Sequence, residues 1–443
     1  MALTETAPEP AANQPVGRVR WLICGLLFLA TTINYIDRQI LALVKEFLDI
    51  ELGWTNEQFG MVNSAFQGAY AVGLLLFGWF VDRYGTKIGY AVSIVLWSLA
   101  AIGHAAVGSV AGFFVARMAL GAAEGGNFPS AIKAVALWFP KRERAFATAL
   151  FNSGTNVGAI IAPALIPIIA VTLGWRWAFI FAGAIGFLWL LLWFPFYEEP
   201  EKRKGLSPEE LAFIQGDRDE ARPGGKPMGW GGALRLRQTW AFIIAKFMTD
   251  PVWWFFLIWL PDYFKKTRGL VIKQSWVHLV TIYAIVTVLS IAGGWLTGKL
   301  TQGGWSVTKA RKAGMFLYAL CVLPILFATR VGDWPAVLLI GLAGAAHQAW
   351  SANLFTTVSD IFAKKDIATI IGIGGMAGSI GGILFPWFSG WLLDRLPATQ
   401  GYTILFAICA SAYLVAFAIH HALCPRLEPL PEKAVLETSP RHS

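Results

Sequence analysis

The sequence predicts an all-α membrane protein of twelve transmembrane helices, arranged as two six-helix halves with pseudo-two-fold symmetry. Three observations predict this class. Hydrophobic residues make up 56% of the 443 residues and charged residues only 14%, whereas soluble globular proteins carry about 25% charge. Apolar runs near the length of a spanning helix, about 20 residues, recur along the chain. One long polar stretch separates six of these runs from the other six.

The apolar runs lie between two polar tails and define five regions. Residues 1–17 are a predicted disordered tail, and residues 425–443 are a predicted cytoplasmic tail. The N-terminal half covers 18–197 and the C-terminal half covers 239–424. Between them, residues 198–238 hold eight acidic and eight basic side chains and form a predicted cytoplasmic loop. The predicted spans are 19–44, 58–81, 88–108, 110–138, 145–172, 176–197, 239–264, 275–299, 312–330, 335–359, 368–393 and 400–423.

Lysine and arginine are distributed unequally between the two sides of this topology. With the N-terminus inside, the cytoplasmic segments carry 24 of them and the opposite side carries eight. Cytoplasmic loops are enriched in these residues, so the bias predicts that both termini are cytoplasmic. The net charge of +9 is therefore an orientation signal and does not indicate nucleic-acid binding. The first seventeen residues lack the charged start and cleavage site of a signal peptide.

The four cysteines predict neither a disulfide nor a metal site. Cys24, Cys321, Cys409 and Cys424 each lie in or beside an apolar run, and the sequence has no Cys-x-x-Cys motif or Cys/His cluster. None of the six histidines has a partner at metal-ligand spacing, and the loops are too short for a nucleotide domain. We therefore predict no cofactor and no enzymatic activity. A sensor that binds without transport would need an output domain, and the tails are short.

The two halves repeat some of their features. GWFVDRYGTK (78–87) ends the second span, and GWLTGKL (294–300) ends the eighth at the equivalent place. Spans five and eleven both carry glycines four residues apart followed by a proline. Corresponding features in two six-helix halves indicate internal repeats with a binding site between them, which is a transporter arrangement.

The first and fourth spans carry four charged residues at membrane depth, where charge is costly and usually functional. At 1.5 Å per residue, Asp37 and Arg117 both lie about 10 Å below the outer boundary. Glu124 lies two turns deeper, on the same face as Arg117. We predict that Asp37 pairs with Arg117, that Arg38 binds an anion, and that Glu124 exchanges a proton. The alternative is a static salt-bridge network that holds the two helices together.

The tenth span contains a polar and aromatic patch, AAHQAWSANLF (345–355). His347 and Trp350 share a helix face, and a tryptophan face can stack on a sugar ring while amides bind its hydroxyls. The alternative is helix–helix hydrogen bonding and packing. Hydroxyl and amide groups in other spans complete the predicted pocket. The predicted substrate-binding residues are Arg38, Tyr35, Tyr70, Asn156, His347, Trp350, Asn353 and Ser379.

The remaining charged residues at membrane depth have simpler expected roles. Lys133 and Lys246 lie near the inner ends of their helices, so we expect each to extend its ammonium group toward the interface. Asp250 precedes Pro251 and is expected to cap or to pair locally. We expect a structural role for His104.

GWFVDRYGTK resembles the signature of the loop between spans two and three in the major facilitator superfamily. The resemblance implies a twelve-helix fold and a cytoplasmic latch that closes the inner gate. The residues that match the signature and would serve in gating are Gly78, Asp82, Arg83 and Gly85. The second copy departs from this pattern, because Gly298 stands where an acidic residue is usual.

Within that superfamily, NYIDR and RMALGAAEGGNFPS (117–130) resemble the anion:cation symporter family. The tenth span and GIGGMAGSIGGILFP (372–386) are similar to its hexuronate transporters. The resemblance implies a monomeric symporter of a bacterial inner membrane that imports a sugar acid anion together with protons. Arg38 would hold the substrate carboxylate, and Asp37 and Glu124 would be protonated, with Arg117 as their partner. An aldonate or aldarate, such as galactonate or glucarate, is the alternative substrate.

Overall fold

The protein is all-α in the part of the chain that its computed structural model describes, which is residues 17–215, 229–362 and 366–430. These residues form seventeen α-helices and three short 3-10 helices, and they contain no strand. Most residues of the two predicted tails, 1–17 and 425–443, lie outside the described residues.

The N-terminal half contains the first nine helices. Its helices are α1 Val19–Leu43, α2 Lys45–Leu52, α3 Asn56–Tyr84, α4 Thr86–Gly103, α5 Val110–Glu124, α6 Asn127–Trp138, α7 Lys141–Asn152, α8 Gly154–Thr172 and α9 Trp175–Phe196. Two predicted spans are each broken into a pair of helices. The fourth is interrupted at Gly125 and Gly126, and the fifth at Ser153.

The central loop and the C-terminal half contain the other eight α-helices of the described residues. These helices are α10 Pro208–Gln215, α11 Trp230–Ala233, α12 Arg237–Arg268, α13 Ile272–Gln302, α14 Val307–Val322, α15 Asp333–Ile361, α16 Ile367–Arg395 and α17 Ala398–Leu423. The 3-10 helices are His104–Ala106, Pro200–Lys202 and Leu323–Phe327.

Ten helices in the described ranges are long and apolar enough to cross a membrane. The two other predicted spans correspond to the α5–α6 pair and to α15. Neither α5 nor α6 alone has spanning length, and the polar patch around His347 lowers the hydropathy of α15. The chain is therefore a multi-pass integral membrane protein whose helices follow the twelve-span pattern.

The two halves meet through two helix pairs. α3 packs against α16, and α8 packs against α13. In span numbers these are the second with the eleventh and the fifth with the eighth. A two-fold operation that exchanges the halves also exchanges these two interfaces, as expected for pseudo-two-fold symmetry.

One end of the bundle, which we call the termini end, holds both ends of the described chain. There Arg20, at the start of α1, pairs with Glu143 at 2.8 Å and with Glu210 of the central loop at 3.2 Å. Lys312 of α14 donates a hydrogen bond to the Cys424 carbonyl at 2.6 Å. The central loop therefore lies at the same end as both termini.

At the opposite end, which we call the far end, polar contacts join the two halves. Lys45 pairs with Asp262 at 2.9 Å, and both side chains are buried. The Asp394 carboxylate at the end of α16 accepts hydrogen bonds from the backbone N–H groups of Asn56 (3.0 Å) and Glu57 (2.7 Å). Asp394 thus satisfies two of the unpaired N–H groups at the start of α3. The far end is closed in this structure.

Candidate functional site

The charged side chains of α1 and α5 meet inside the N-terminal half. The Arg38 Nε atom donates a hydrogen bond to Glu124 Oε2 at 2.7 Å. The two side chains are 4% and 0% exposed. Charge-assisted hydrogen bonds of this length are among the stronger polar contacts in proteins. The carboxylate of Glu124 is therefore held beside the guanidinium that we predicted to bind an anion.

Arg117 forms different contacts from those we predicted. Its Nη2 atom donates to the backbone carbonyl of Arg38 at 3.0 Å and to Asn63 Oδ1 at 3.3 Å. The carboxylate oxygens of Asp37 accept no hydrogen bond from the described residues. Asp37 and Arg117 are close enough to interact electrostatically, but no hydrogen bond joins them among the described residues, so their predicted pairing stays a prediction. Side chains of successive helix residues point about 100° apart. As α1 is packed here, it presents the Arg38 backbone carbonyl, and not the Asp37 carboxylate, to the Arg117 guanidinium.

A close approach of α3 and α5 places these groups together. A Cβ atom on Gly121 would lie 2.3 Å from the Phe66 carbonyl oxygen, so only glycine fits at that position. The approach brings the Phe66 ring to 5.1 Å from the Arg117 guanidinium and to 5.4 Å from that of Arg38. One aromatic ring thus contacts both cations.

Four aromatic rings surround the Arg38 guanidinium, and we call these four rings the aromatic cage. Its carbon lies 4.4 Å from the Tyr70 ring centroid, 5.0 Å from that of Tyr35 and 5.4 Å from that of Phe66. The fourth ring, Trp254 at 5.6 Å, belongs to α12 in the other half. Aromatic faces attract cations and also provide surfaces for sugar stacking. The cage therefore spans the two halves.

Several polar atoms of this cluster have no hydrogen-bond partner among the described residues. They are Arg38 Nη2, Arg117 Nε and Nη1, Glu124 Oε1 and both carboxylate oxygens of Asp37. Buried polar groups are normally hydrogen-bonded, so these atoms are donors and acceptors that a ligand could use, and the role of the cluster in transport stays a prediction. Guanidinium N–H groups match the geometry of a carboxylate, and carboxylate oxygens can take up protons.

The C-terminal half contributes a second charged pair, one to two turns along α12 from Trp254 of the cage. Lys246 Nζ lies 2.6 Å from Asp250 Oδ2, one turn further along α12. Lys246 also lies over the Phe355 ring, at 4.4 Å from its centroid. The predicted extension of Lys246 toward the interface is therefore wrong, because a carboxylate on the membrane-centre side of it attracts the ammonium group. The local pairing predicted for Asp250 is confirmed.

Sequence comparisons identify the family of this chain. The sequence profile described as the Major Facilitator Superfamily matches residues 27–386. This chain belongs to the Major Facilitator Superfamily. A hexuronate transporter of Escherichia coli (strain K12) is 33% identical over 401 residues, 88% of this chain and 91% of the relative. A D-galactonate transporter of Escherichia coli O6:H1 is 29% identical over 417 residues, 92% and 95% of the two chains.

Solved structures agree on the fold of this superfamily member. A bacterial homolog of the human lysosomal transporter Spinster, in an inward-facing and occupied conformation, matches with a TM-score of 0.72. The match covers 96% of this chain and 99% of the other at 16% sequence identity. The protein is a membrane transporter of the major facilitator fold and not an enzyme.

In this transporter, His347 and Trp350 of α15 pack against neighbouring helices. His347 stacks on Trp253 with ring centroids 5.7 Å apart, and its Nδ1 atom lies 2.6 Å from the Tyr413 hydroxyl. Trp350 is 0% exposed, with its ring 5.5 Å from that of Tyr413. The Trp350 face is therefore covered in this structure, and the helix–helix alternative describes its contacts. The role of His347 in substrate binding stays a prediction.

The three remaining polar candidates lie outside the aromatic cage. Asn353 donates from Nδ2 to the Arg311 carbonyl at 2.8 Å, which ties α15 to α14. Ser379 donates to the Gly375 carbonyl of its own helix at 3.0 Å. Asn156 is half-buried in α8. Their roles in substrate binding stay predictions.

The predicted gating residues lie at the turn between α3 and α4. Gly85 has a φ of 83°, a conformation that favours glycine. The Arg83 side chain is exposed, and a Cβ on Gly78 would meet nothing within 4 Å. The side chain of Asp82 lies outside the described residues. The latch role of these four residues therefore stays a prediction.

Sequence reasoning missed Trp254, which is the contribution of the C-terminal half to the cage. It also missed Asn63, which binds Arg117, and Phe66. A signal was present for Trp254, because Lys246, Asp250 and Trp254 are spaced four residues apart and share one face of α12.

Proposed function

We propose that this protein is a proton-coupled symporter that imports hexuronates, such as galacturonate or glucuronate, across a bacterial inner membrane. The observation that carries the proposal is the Arg38 guanidinium, which is paired with Glu124 on one side and lies in a cage of aromatic rings, and whose Nη2 atom has no hydrogen-bond partner among the described residues. The 33% identical hexuronate transporter supports the substrate class. The D-galactonate transporter supports the alternative, an aldonate or aldarate.

Charge balance links substrate binding to protons. Asp37, Arg38, Arg117 and Glu124 together carry two positive and two negative charges, all in buried positions. A substrate carboxylate at Arg38 would add a third negative charge and would compete with Glu124 for the same guanidinium. Burying unbalanced charge is costly. Protonation of Glu124 or Asp37 restores the balance and frees Arg38 for the substrate.

The cage couples binding to closure of the two halves. Tyr35 and Tyr70 come from the N-terminal half and Trp254 from the C-terminal half. A sugar ring stacked on Trp254, with its carboxylate on Arg38, would draw the halves together around it. Substrate release then requires the halves to separate at one end, as alternating access between rigid halves demands.

We propose that the far-end contacts belong to the inward-facing state of that cycle. The predicted orientation places the far end outside, so its closure corresponds to an inward-facing state. The Lys45–Asp262 pair and the Asp394 cap on α3 would have to break before substrate enters from outside. We propose that the protein works as a monomer, since each chain holds its own pair of halves.

Uptake into proteoliposomes tests this function. Purified protein should accumulate labelled galacturonate when the outside is acidic, and unlabelled glucuronate should compete better than galactonate or glucarate. Arg38→Ala should weaken substrate binding by about 10- to 100-fold, since a hydrogen bond to a charged group contributes about 1.5–3 kcal/mol. Normal galacturonate binding by this variant would move the anion site elsewhere. Stronger competition by galactonate would favour the aldonate alternative.

A further inference from the structure

The pair formed by Lys246 and Asp250 extends the wall of the aromatic cage. Lys246, Asp250 and Trp254 lie on one face of α12, and Trp254 contacts Arg38. At 1.5 Å per residue, Asp250 lies about 6 Å along the helix from Trp254, toward the termini end. Asp250 is also close enough to Tyr35 of α1 to interact with it electrostatically. A ligand held by Arg38 therefore meets this pair at its other end.

Neighbouring helices fix the position of the Asp250 carboxylate. A Cβ atom on Gly378 of α16 would lie 2.3 Å from Asp250 Oδ2, so α16 packs directly against it. Lys246 Nζ lies 2.6 Å from the same oxygen, and the two side chains are 6% and 20% exposed. The lysine is thus the more covered member, and the carboxylate is the more accessible one.

The charges of this pair suit one kind of ligand and oppose another. A carboxylate accepts hydrogen bonds from sugar hydroxyls, and the adjacent ammonium donates to hydroxyl or carbonyl oxygens. A second carboxylate on the ligand would instead face Asp250, and like charges in apposition cost several kcal/mol. Asp250 also occupies Lys246, which would otherwise be the natural partner for a second carboxylate.

We propose that Asp250 is a specificity-determining residue that admits sugar monoacids and rejects sugar diacids. The inference rests on the proposed function, because it assumes that Arg38 holds the first carboxylate. It adds the reason for discrimination between a hexuronate and the corresponding aldarate, which differ by the oxidation of one terminal carbon. Rejection through a repulsive element is a general route to specificity.

Counterflow in proteoliposomes tests the proposal without a proton gradient. Vesicles loaded with unlabelled glucuronate take up labelled glucuronate, and external glucarate or galactonate competes. In the unmodified protein, glucarate should compete at least about 10-fold less well than galactonate. In Asp250→Asn, Lys246 is released and glucarate should gain at least about 10-fold relative to galactonate, which corresponds to about 1.4 kcal/mol.

Two further variants separate charge from packing. Lys246→Gln leaves Asp250 unpaired, so glucarate should compete even less well than in the unmodified protein. The double variant Lys246→Gln/Asp250→Asn removes both charges, so it should no longer repel the second carboxylate of glucarate but should not bind it either. Its competition by glucarate should therefore fall between that of Asp250→Asn and that of Lys246→Gln. These variants also keep the test decisive should Asp250→Asn fold poorly. Glu51→Gln, which removes an acidic group from a surface pair with Arg176, should leave all ratios unchanged.

The outcomes distinguish the two proposals. Equal competition by glucarate and galactonate in the unmodified protein would overturn the role of Asp250 while leaving sugar-acid transport intact. An unchanged glucarate ratio in both Asp250→Asn and Lys246→Gln, with glucuronate still exchanged, would also overturn it. Absence of any exchange in the unmodified protein would remove the proposed function, and the role of Asp250 with it.

Discussion

At the scale of single residues, Arg38 combines properties that lysine does not have. Its planar guanidinium donates from Nε to Glu124 and contacts four aromatic rings, and its Nη2 atom has no hydrogen-bond partner in the part of the chain that the structure describes. A planar cation stacks on rings and can bind two carboxylates in turn, whereas an ammonium group is a compact charge. This arrangement allows a substrate carboxylate and Glu124 to compete for one cation.

Glu124→Gln should separate transport from proton coupling. Glutamine keeps the size of the side chain and an oxygen acceptor for Arg38 but cannot exchange a proton in this range. We expect accumulation in proteoliposomes to fall to the level reached without a pH gradient, while counterflow of galacturonate persists. Glu51→Gln is the matched control, because it makes the same change in an exposed pair. Accumulation that still responds to the pH gradient in Glu124→Gln would refute the assignment of this carboxyl.

At the scale of helices, the crossing of α3 and α16 closes the far end. A Cβ atom on Gly390 would lie 2.1 Å from the Asn56 carbonyl oxygen, and one on Gly60 would lie 2.4 Å from that of Pro386. Small residues at such crossings let backbones approach closely within the membrane. The helices meet here through backbone contact, so a single methyl group should push them apart.

Gly390→Ala should therefore favour opening of the far end. We expect a membrane-impermeant thiol reagent to label Ser64→Cys, at the α3–α16 interface, faster in the Gly390→Ala background. The reason is steric, because the closed state has no room for the added methyl group. Gly372→Ala on the same helix is the matched control, since its Cβ would meet nothing within 4 Å. Equal labelling rates in the two backgrounds would show that this crossing does not control closure.

The Asp394 carboxylate provides a polar contribution to the same closure. It accepts hydrogen bonds from the backbone of Asn56 and Glu57 and from Asn56 Nδ2. Loss of an N-terminal helix cap typically costs about 1 kcal/mol. Asp394→Ala should destabilise the closed far end by about that amount and raise Ser64→Cys labelling several-fold. A labelling rate equal to that of the Ser64→Cys parent would contradict the role of this cap.

At the scale of the whole molecule, the excess of lysine and arginine on one side predicts the orientation. Of two reporter enzymes fused after Leu430, one active only in the cytoplasm and one active only outside it, the cytoplasmic reporter alone should be active. A reporter inserted at Gly269, between α12 and α13, should behave oppositely, because α12 crosses the bundle from the termini end to the far end. The reverse result would place the closed far end inside and make this structure outward-facing.

The sequence alone identified the groups that carry charge into the membrane. Charges are rare in apolar runs, so Asp37, Arg38, Arg117 and Glu124 stood out without any structure. Their pairing was not readable, because depth along a helix follows from residue count but rotation toward a neighbour depends on packing. In the structure, Arg38 donates a hydrogen bond to Glu124, and Arg117 donates one to the backbone carbonyl of Arg38.

Composition and the length of apolar runs determined the fold class and the division into two halves, while short motifs such as GWFVDRYGTK carried the family resemblance. These properties are local, since a bilayer requires each span to be apolar over about 20 residues. Only the tertiary structure brought Trp254 to Arg38 from the opposite half and covered Trp350 with neighbouring helices. Contacts between helices distant in sequence depend on how all the spans pack together, and no single stretch of residues specifies that packing.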